Sequence, residues 1–120
     1  MTTQEVANRL VELCRNGEFK KAQQELFADD AISVEAFASP AFEKETKGLK
    51  AILEKGAKWD AMVKEVHNLS VSEPLVADNS IAVVMGMDVS MKEEDRRMSM
   101  NELCVYDVKD GKIISEQFHM

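Results

Sequence analysis

The chain has 120 residues and a mass of 13.5 kDa, which is room for one domain of the usual size and not for two. Hydrophobic residues make up 45% and charged residues 31%, a balance that lets a core form without staples and excludes a disordered or fibrous chain. Lys and Arg number 15 against 22 Asp and Glu, for a net charge of −7. That is the wrong sign for nucleic acid or an anionic membrane surface, which both require concentrated cations.

At the N-terminus, MTTQEVANRL has neither the basic nor the apolar stretch of a secretory signal, so a cytoplasmic protein is expected. Thr2 and Glu5 have capping-box spacing, and Val6, Leu10, Leu13 and Cys14 form one helical stripe. Asn16-Gly17 is a stop signal. A second helix follows at once, with Phe19, Ala22, Leu26 and Phe27 on one face, and halts at Asp29-Asp30. Ala31 to Phe37 alternates Ile32, Val34 and Ala36 against Ser33, Glu35 and Phe37, which predicts a short strand. Residues 38–46 are expected as a loop interrupted by Pro40.

A longer helix is predicted from Lys47 to Lys64, with Leu49, Ile52, Leu53, Gly56, Trp59 and Val63 on its apolar stripe. From there the period changes to two. Val66 to Glu73 reads as a strand closed by Pro74, and Asp78-Asn79 turns the chain into a second, Ser80 to Lys92. Its apolar run Ile81 to Met87 falls far short of the ~20 residues a membrane span needs. Glu93 to Asp95 turns the chain into Arg96 to Val108, and Lys109-Asp110-Gly111 is a hairpin signal leading into Lys112 to His119. The order α-α-β-α-β-β-β-β separates helices from strands. It predicts an α+β fold, a single domain over 1–120 with the helices on one face of a curved antiparallel sheet.

Cys14 and Cys104 each fall in an apolar-periodic segment and read as reduced core thiols. No CxxC or HxxxH spacing occurs, so no metal and no cofactor is expected.

The run LFADDAISVE after the helical hairpin, KGLKAILEKG opening the long helix, and the closing VYDVKDGKIISEQF resemble the SnoaL-like family. That family lies in the nuclear-transport-factor-two-like superfamily, with ketosteroid isomerase and scytalone dehydratase. The resemblance covers essentially the whole chain. It implies a cone-shaped, curved antiparallel sheet wrapped around three helices of the N-terminal half, enclosing a pocket for a small, largely apolar organic molecule. It also implies acid–base chemistry of the isomerase, cyclase or dehydratase type, although the same fold serves non-catalytic binding and dimerisation modules. Aligning the ADDA box with ketosteroid isomerase puts Glu35 where that enzyme carries its general base. Glu102 then falls near the carboxylic acid that helps hold an enolate oxygen. The isomerase's first-helix tyrosine has no counterpart, since the one tyrosine is Tyr106. The hairpin KEEDRR is shorter and more charged than the glycine- and histidine-containing hairpin of the SnoaL cyclases.

Strand parity sets which side chains enter the cone. On Ser80 to Lys92 the odd positions are uniformly apolar, while Ala82, Val84, Gly86, Asp88 and Ser90 take the other face. On the next strand Met98, Met100, Glu102, Cys104 and Tyr106 share a face. A three-residue loop at 109–111 places Glu116 with Glu102, whereas a two-residue Asp-Gly turn shifts the register and brings Gln117 and His119 instead. In the first case Asp88, Glu102 and Glu116 join Glu35 on the concave face. Trp59, Met98, Met100 and Phe118 then line it, Gly86 leaves room for a ligand, and Tyr106 offers a hydroxyl. Glu35 is expected as the base and Glu102 as hydrogen-bond donor or second acid, since carboxyls crowded in an apolar cone hold protons more tightly. The other option turns these acids outward to water. His67, with the parity of Leu69 and Val71, reads either as a structural histidine or as an acid–base group. Met85, Met87, Val89 and Leu103 are expected to form a homodimer face, because left in water they make a large apolar patch.

Overall fold

The computed structural model describes residues 1–120. Helix α1 (Thr3–Arg15) opens with both halves of the expected capping box. Thr2 Oγ1 accepts from the Glu5 N–H at 3.1 Å, and Glu5 Oε1 accepts from the Thr2 N–H at 2.9 Å. Its far end is closed by the Gly17 N–H on Cys14 O and the Glu18 N–H on Leu13 O, a paired arrangement that satisfies the last carbonyls. Helix α2 (Phe19–Leu26) runs directly into strand β1 (Phe27–Val34). The helix therefore ends before Asp29-Asp30, and both aspartates lie within the strand.

Strand β2 (Glu45–Lys47) and strand β4 (Leu75–Ala77) are three-residue pieces, too short to carry a period. Between them come α3 (Leu49–Met62) and β3 (Val63–Val71), and after them β5 (Ser80–Met91), β6 (Arg97–Lys109) and β7 (Lys112–His119). The sheet order is β2-β1-β7-β6-β5-β3, with β4 paired to β5. All pairs are antiparallel except β1 with β7, which is parallel. Three helices pack against a curved, unclosed seven-stranded sheet, the α+β arrangement that the order of elements implies. Register shifts in β1, in β3 and between β6 and β7 supply bends, because each extra residue sharpens local twist.

The core lies between the helices and the concave face. Val6, Leu10, Leu13 and Cys14 of α1, Ala22 and Leu26 of α2 and Ile52 of α3 meet Ile81, Val83, Cys104, Tyr106, Val108 and Ile113. The β5–β6 register fixes this face: Val83 opposes Cys104, Met85 opposes Glu102 and Met87 opposes Met100. Odd residues of β5 thus share a face with even residues of β6.

That register corrects two expectations. Met85, Met87 and Val89 belong to the concave side, where Val89 is fully buried and Met85 packs on the core. Leu103 opposes Val84 on the other side of the sheet, so these four residues are not one dimer face. Gly86 and Asp88, even residues of β5, oppose Asn101 and Ser99 on the outer face and do not line the cone.

The last hairpin resolves the two register options in a third way. Asp110 and Gly111, with φ of 52° and 77°, form a two-residue turn between the paired Lys109 and Lys112, as a hairpin with positive φ at both centres requires. A shift between Asp107 and Val108 then restores the parity of the longer loop, so that Tyr106 opposes Glu116 and Cys104 opposes Phe118. Glu102 and Glu116 therefore face the same side.

Candidate functional site

The parallel β1–β7 pair sets Ser33 opposite Glu116. Parity along β1 is the reverse of what its hydrophobicity suggests, because Ser33 is fully buried while Ile32 and Val34 are only partly so. A buried hydroxyl needs a partner, and Ser33 has two. Its Oγ donates to Glu116 Oε1 at 2.7 Å and accepts from Lys55 Nζ at 2.7 Å. Lys55 lies on α3 between Ile52 and Trp59 at helical spacing, so the apolar stripe of the helix carries one ammonium into the cone. Nζ is 3.9 Å from Glu35 Oε2 and 5.8 Å from the centre of the Phe118 ring, within range of an ammonium–aromatic attraction. The Lys55 side chain is only 15% exposed.

Three carboxyls thus gather around one ammonium. Glu116, 4% exposed, is pushed up to about 7, chiefly by burial. Ser33 and Lys55 pull it down, and Glu35 and Glu102 raise it. Glu102 is also raised, first by burial and then by Glu35, with Lys55 opposing. Three ionised acids against a single cation leave a surplus of negative charge, which a proton relieves. Beneath them Tyr106 and Cys104 are buried and their thiol and phenol hold their protons tightly, again mainly through burial.

The sequence-derived residues divide by face. Glu35, Glu102 and Glu116 converge with Phe118, and Met100 shares the concave side through its pairing with Met87. Trp59 continues the Ile52–Lys55 stripe and is half-buried. Tyr106 packs edge-on to Phe27 in the core, ring centres 6.5 Å apart, and does not reach into open space.

His67, Gly86 and Asp88 belong elsewhere. His67 falls in the β3 register shift between Val66 and Asn68, which breaks its parity with Leu69. Its Nε2 meets Ser90 Oγ at 2.7 Å on the outer face. Asp88 takes a two-pronged ion pair from Arg97, 2.9 and 3.1 Å, which lowers its proton affinity. Two surface hollows lie away from Glu35, Glu102 and Glu116. One, of about 310 Å³, sits beside Arg15 and Glu73; the other, of about 340 Å³, lies over Ser70, Gly86 and Asn101.

A SnoaL-like domain model matches residues 1–120. The chain belongs to the SnoaL-like family. A structure from Mesorhizobium loti, named as a SnoaL-like polyketide cyclase, is 34% identical over 100% of both chains, with a TM-score of 0.93. More distant structures share the fold. One, from Catenulispora acidiphila, has a ketosteroid isomerase-like fold and holds trimethylamine; it is 18% identical over 99% of this chain and 87% of its own, TM-score 0.74. TerC, crystallised with polyporic acid, is 13% identical over 97% and 88%, TM-score 0.76. No match is found among the curated proteins.

In this SnoaL-like chain the sequence reading missed Ser33 and Lys55. A lysine at i+3 from Ile52 and i−4 from Trp59 interrupts an apolar stripe, and that was the available signal. Ser33 carries no such mark. Its burial depends on β7, more than eighty residues away.

Proposed function

We propose that this domain binds a small, largely apolar organic molecule on its concave face and moves a proton on it, in chemistry of the isomerase, cyclase or dehydratase type. The observation that carries the reading is the Lys55–Ser33–Glu116 chain of hydrogen bonds set beside Glu35 and Glu102. Glu35, next to the Lys55 ammonium, is the base that takes a proton from a carbon acid. Glu102, with its raised proton affinity, donates a hydrogen bond to the oxygen on which negative charge develops. Return of the proton from Glu35 to a second carbon completes an isomerisation with no net change in protons. Kinship with a structure named as a polyketide cyclase, 34% identical over its full length, supports substrates of this kind.

The test is deuterium uptake from solvent into a panel of enolisable ketones, followed by NMR. Uptake that Glu35→Gln abolishes without loss of fold supports the proposal. A panel in which ligands bind yet no deuterium enters turns the reading to a non-catalytic binding module.

We propose further that two copies pair through the outer face of the sheet. Leu75, Val84 and Leu103 are 76%, 44% and 43% exposed there, linked through the Leu75–Ala82 and Val84–Leu103 pairings. Such a row is self-complementary across a two-fold axis. A 13.5 kDa species in sedimentation at tens of micromolar refutes it. The proposal puts the protein in the cytoplasm, a reading its two free, buried thiols support.

A further inference from the structure

One of the two hollows is built by the register of the outer sheet face. There Ser70, Gly86 and Asn101 form one cross-strand row over β3, β5 and β6, and Asn68, Asp88 and Ser99 form the next. Neighbours on such a face lie about 4.8 Å apart across the strands and about 6.8 Å apart along them. Gly86 is the one position of the six without a side chain, and it lines the hollow of about 340 Å³ together with the other five. Glycine weakens a strand interior, and where it occurs there it marks places that another molecule or backbone approaches closely. The flanking polar atoms turn to the space it leaves. A carbon added at Gly86 would stand 2.6 Å from Ser70 Oγ and 3.6 Å from Asn101 Oδ1, so a hydroxyl and an amide converge above the glycine from the two adjoining strands.

The lining is polar without a free charge. Asn68, Ser70, Ser99 and Asn101 are exposed, and their side chains make no hydrogen bond within the protein. Asp88, the only ionisable member, is already held by both prongs of Arg97, at 2.9 and 3.1 Å. That ion pair and the 2.7 Å contact of His67 Nε2 with Ser90 Oγ form a fixed rim on the side of the Glu93–Asp95 turn. A cation entering here finds its carboxylate taken, and an anion finds the guanidinium taken. Amides and hydroxyls both donate and accept, so the ligand that matches them carries several groups that do both.

We propose that this hollow binds a neutral polyol: a sugar-sized ring with one hydroxyl over Gly86, between Ser70 Oγ and the Asn101 amide, and further hydroxyls on Asn68 and Ser99. The site is separate from the concave face and does not depend on the chemistry proposed there. It begins one row beyond Val84 and Leu103, on the side away from Leu75, the residues given above to the contact between copies. Each hydrogen bond to the ligand replaces one to water and contributes little by itself, so binding rests on several made at once and is of millimolar strength.

The probes are glucose, galactose, mannose, ribose and myo-inositol, with glucosamine and gluconate as charged counterparts, titrated into the protein and followed by NMR of backbone and Asn side-chain amides. At least one neutral member should shift the signals of residues 68–70, 86–88 and 99–101. Asn101→Ala should weaken that binding at least about fivefold, as the loss of one hydrogen bond implies, and Gly86→Ala should abolish it by filling the space beneath the hydroxyl. Asn101 is exposed, so its variant folds and keeps the test decisive if Gly86→Ala does not. Gln117→Ala, on the same face but on β7 and outside the hollow, should change nothing. No shift with any neutral member overturns the proposal, as do shifts confined to the concave face. Tighter binding of glucosamine or gluconate than of glucose overturns the neutral assignment. A changed sedimenting species in Asn101→Ala, with no sugar bound by the native protein, shows that the hollow is filled by a second copy and also overturns it.

Discussion

Replacing Glu116 with Gln exchanges an ionisable group for a neutral one of the same shape, at a position 4% exposed and hydrogen-bonded to Ser33. In the unfolded chain Glu116 loses its proton near 4.5, whereas in the fold it does so at about 7. Between those values the folded protein holds a proton that the unfolded chain has released, so stability falls as pH rises through the window. The loss is absent below 4.5 and complete above 7. At about 1.4 kcal/mol for each pH unit, the difference amounts to about 3 kcal/mol, a sizeable part of the 5–15 kcal/mol typical of a domain. The variant has no such dependence at this position. Its stability relative to the native protein should rise by about 3 kcal/mol between pH 4.5 and pH 8. Any fixed cost of setting an amide nitrogen in place of an oxygen shifts both ends alike, so the slope is the observable. Urea unfolding at five pH values across that range measures it. A difference that is flat with pH refutes the reasoning. A difference of opposite sign shows that Lys55 and Ser33 over-compensate burial, and that Glu116 is a stabilising carboxylate.

Three further outcomes follow from the geometry. Thr2→Ala removes one half of the α1 capping box and should cost about 1 kcal/mol in thermal or urea unfolding; no change means that the helix start is held by other contacts. In Gly86→Ala the added carbon meets Ser70 Oγ at 2.6 Å, a hydroxyl that can rotate, so the loss should stay near 1 kcal/mol. Affinity for a ligand of the concave face should not move, because Gly86 lies on the outer face; an affinity change there contradicts that placement. Cys14 and Cys104, buried and with thiols pushed up, Cys14 to about 12, should react with a thiol reagent in one phase at the rate of global unfolding, and a fast phase on the native protein counts against their burial.

What could be read from the sequence was what is decided locally. The α1 cap and stop, the α3 stripe and the Asp110-Gly111 turn depend on residues within a few positions of one another, and each is where its pattern puts it, except that α3 spans Leu49–Met62 and Val63 opens β3 instead of extending the stripe. The faces of strands are decided by partners far along the chain. Alternation on β5 marked its odd side as apolar, yet only the pairing of Val83 with Cys104 says that this side meets the helices. His67 kept its expected parity on paper and lost it to a single extra residue in β3. The convergence of Glu102 with Glu116 required both a short turn and a compensating shift, two features whose sum is invisible to either alone. Lys55 and Ser33 were missed because each is a polar residue buried in an apolar pattern, and the groups that hydrogen-bond to it lie on other elements.

The seam between β1 and β7 has a kinetic side. Ser33 and Glu116 are separated by 83 residues in the chain, and their strands run parallel, joined through nearly every other element. Contacts so distant in sequence close late, after local helices and hairpins have formed, because loop-closure entropy opposes them until then. A species with α1, α2 and the β5–β6–β7 meander in place but this seam open leaves Glu116 hydrated, ionising in the ordinary carboxyl range. The proton on Glu116 is then a reporter of closure: following its uptake with an indicator dye during refolding at pH 6 times the moment at which the last strand finds the first.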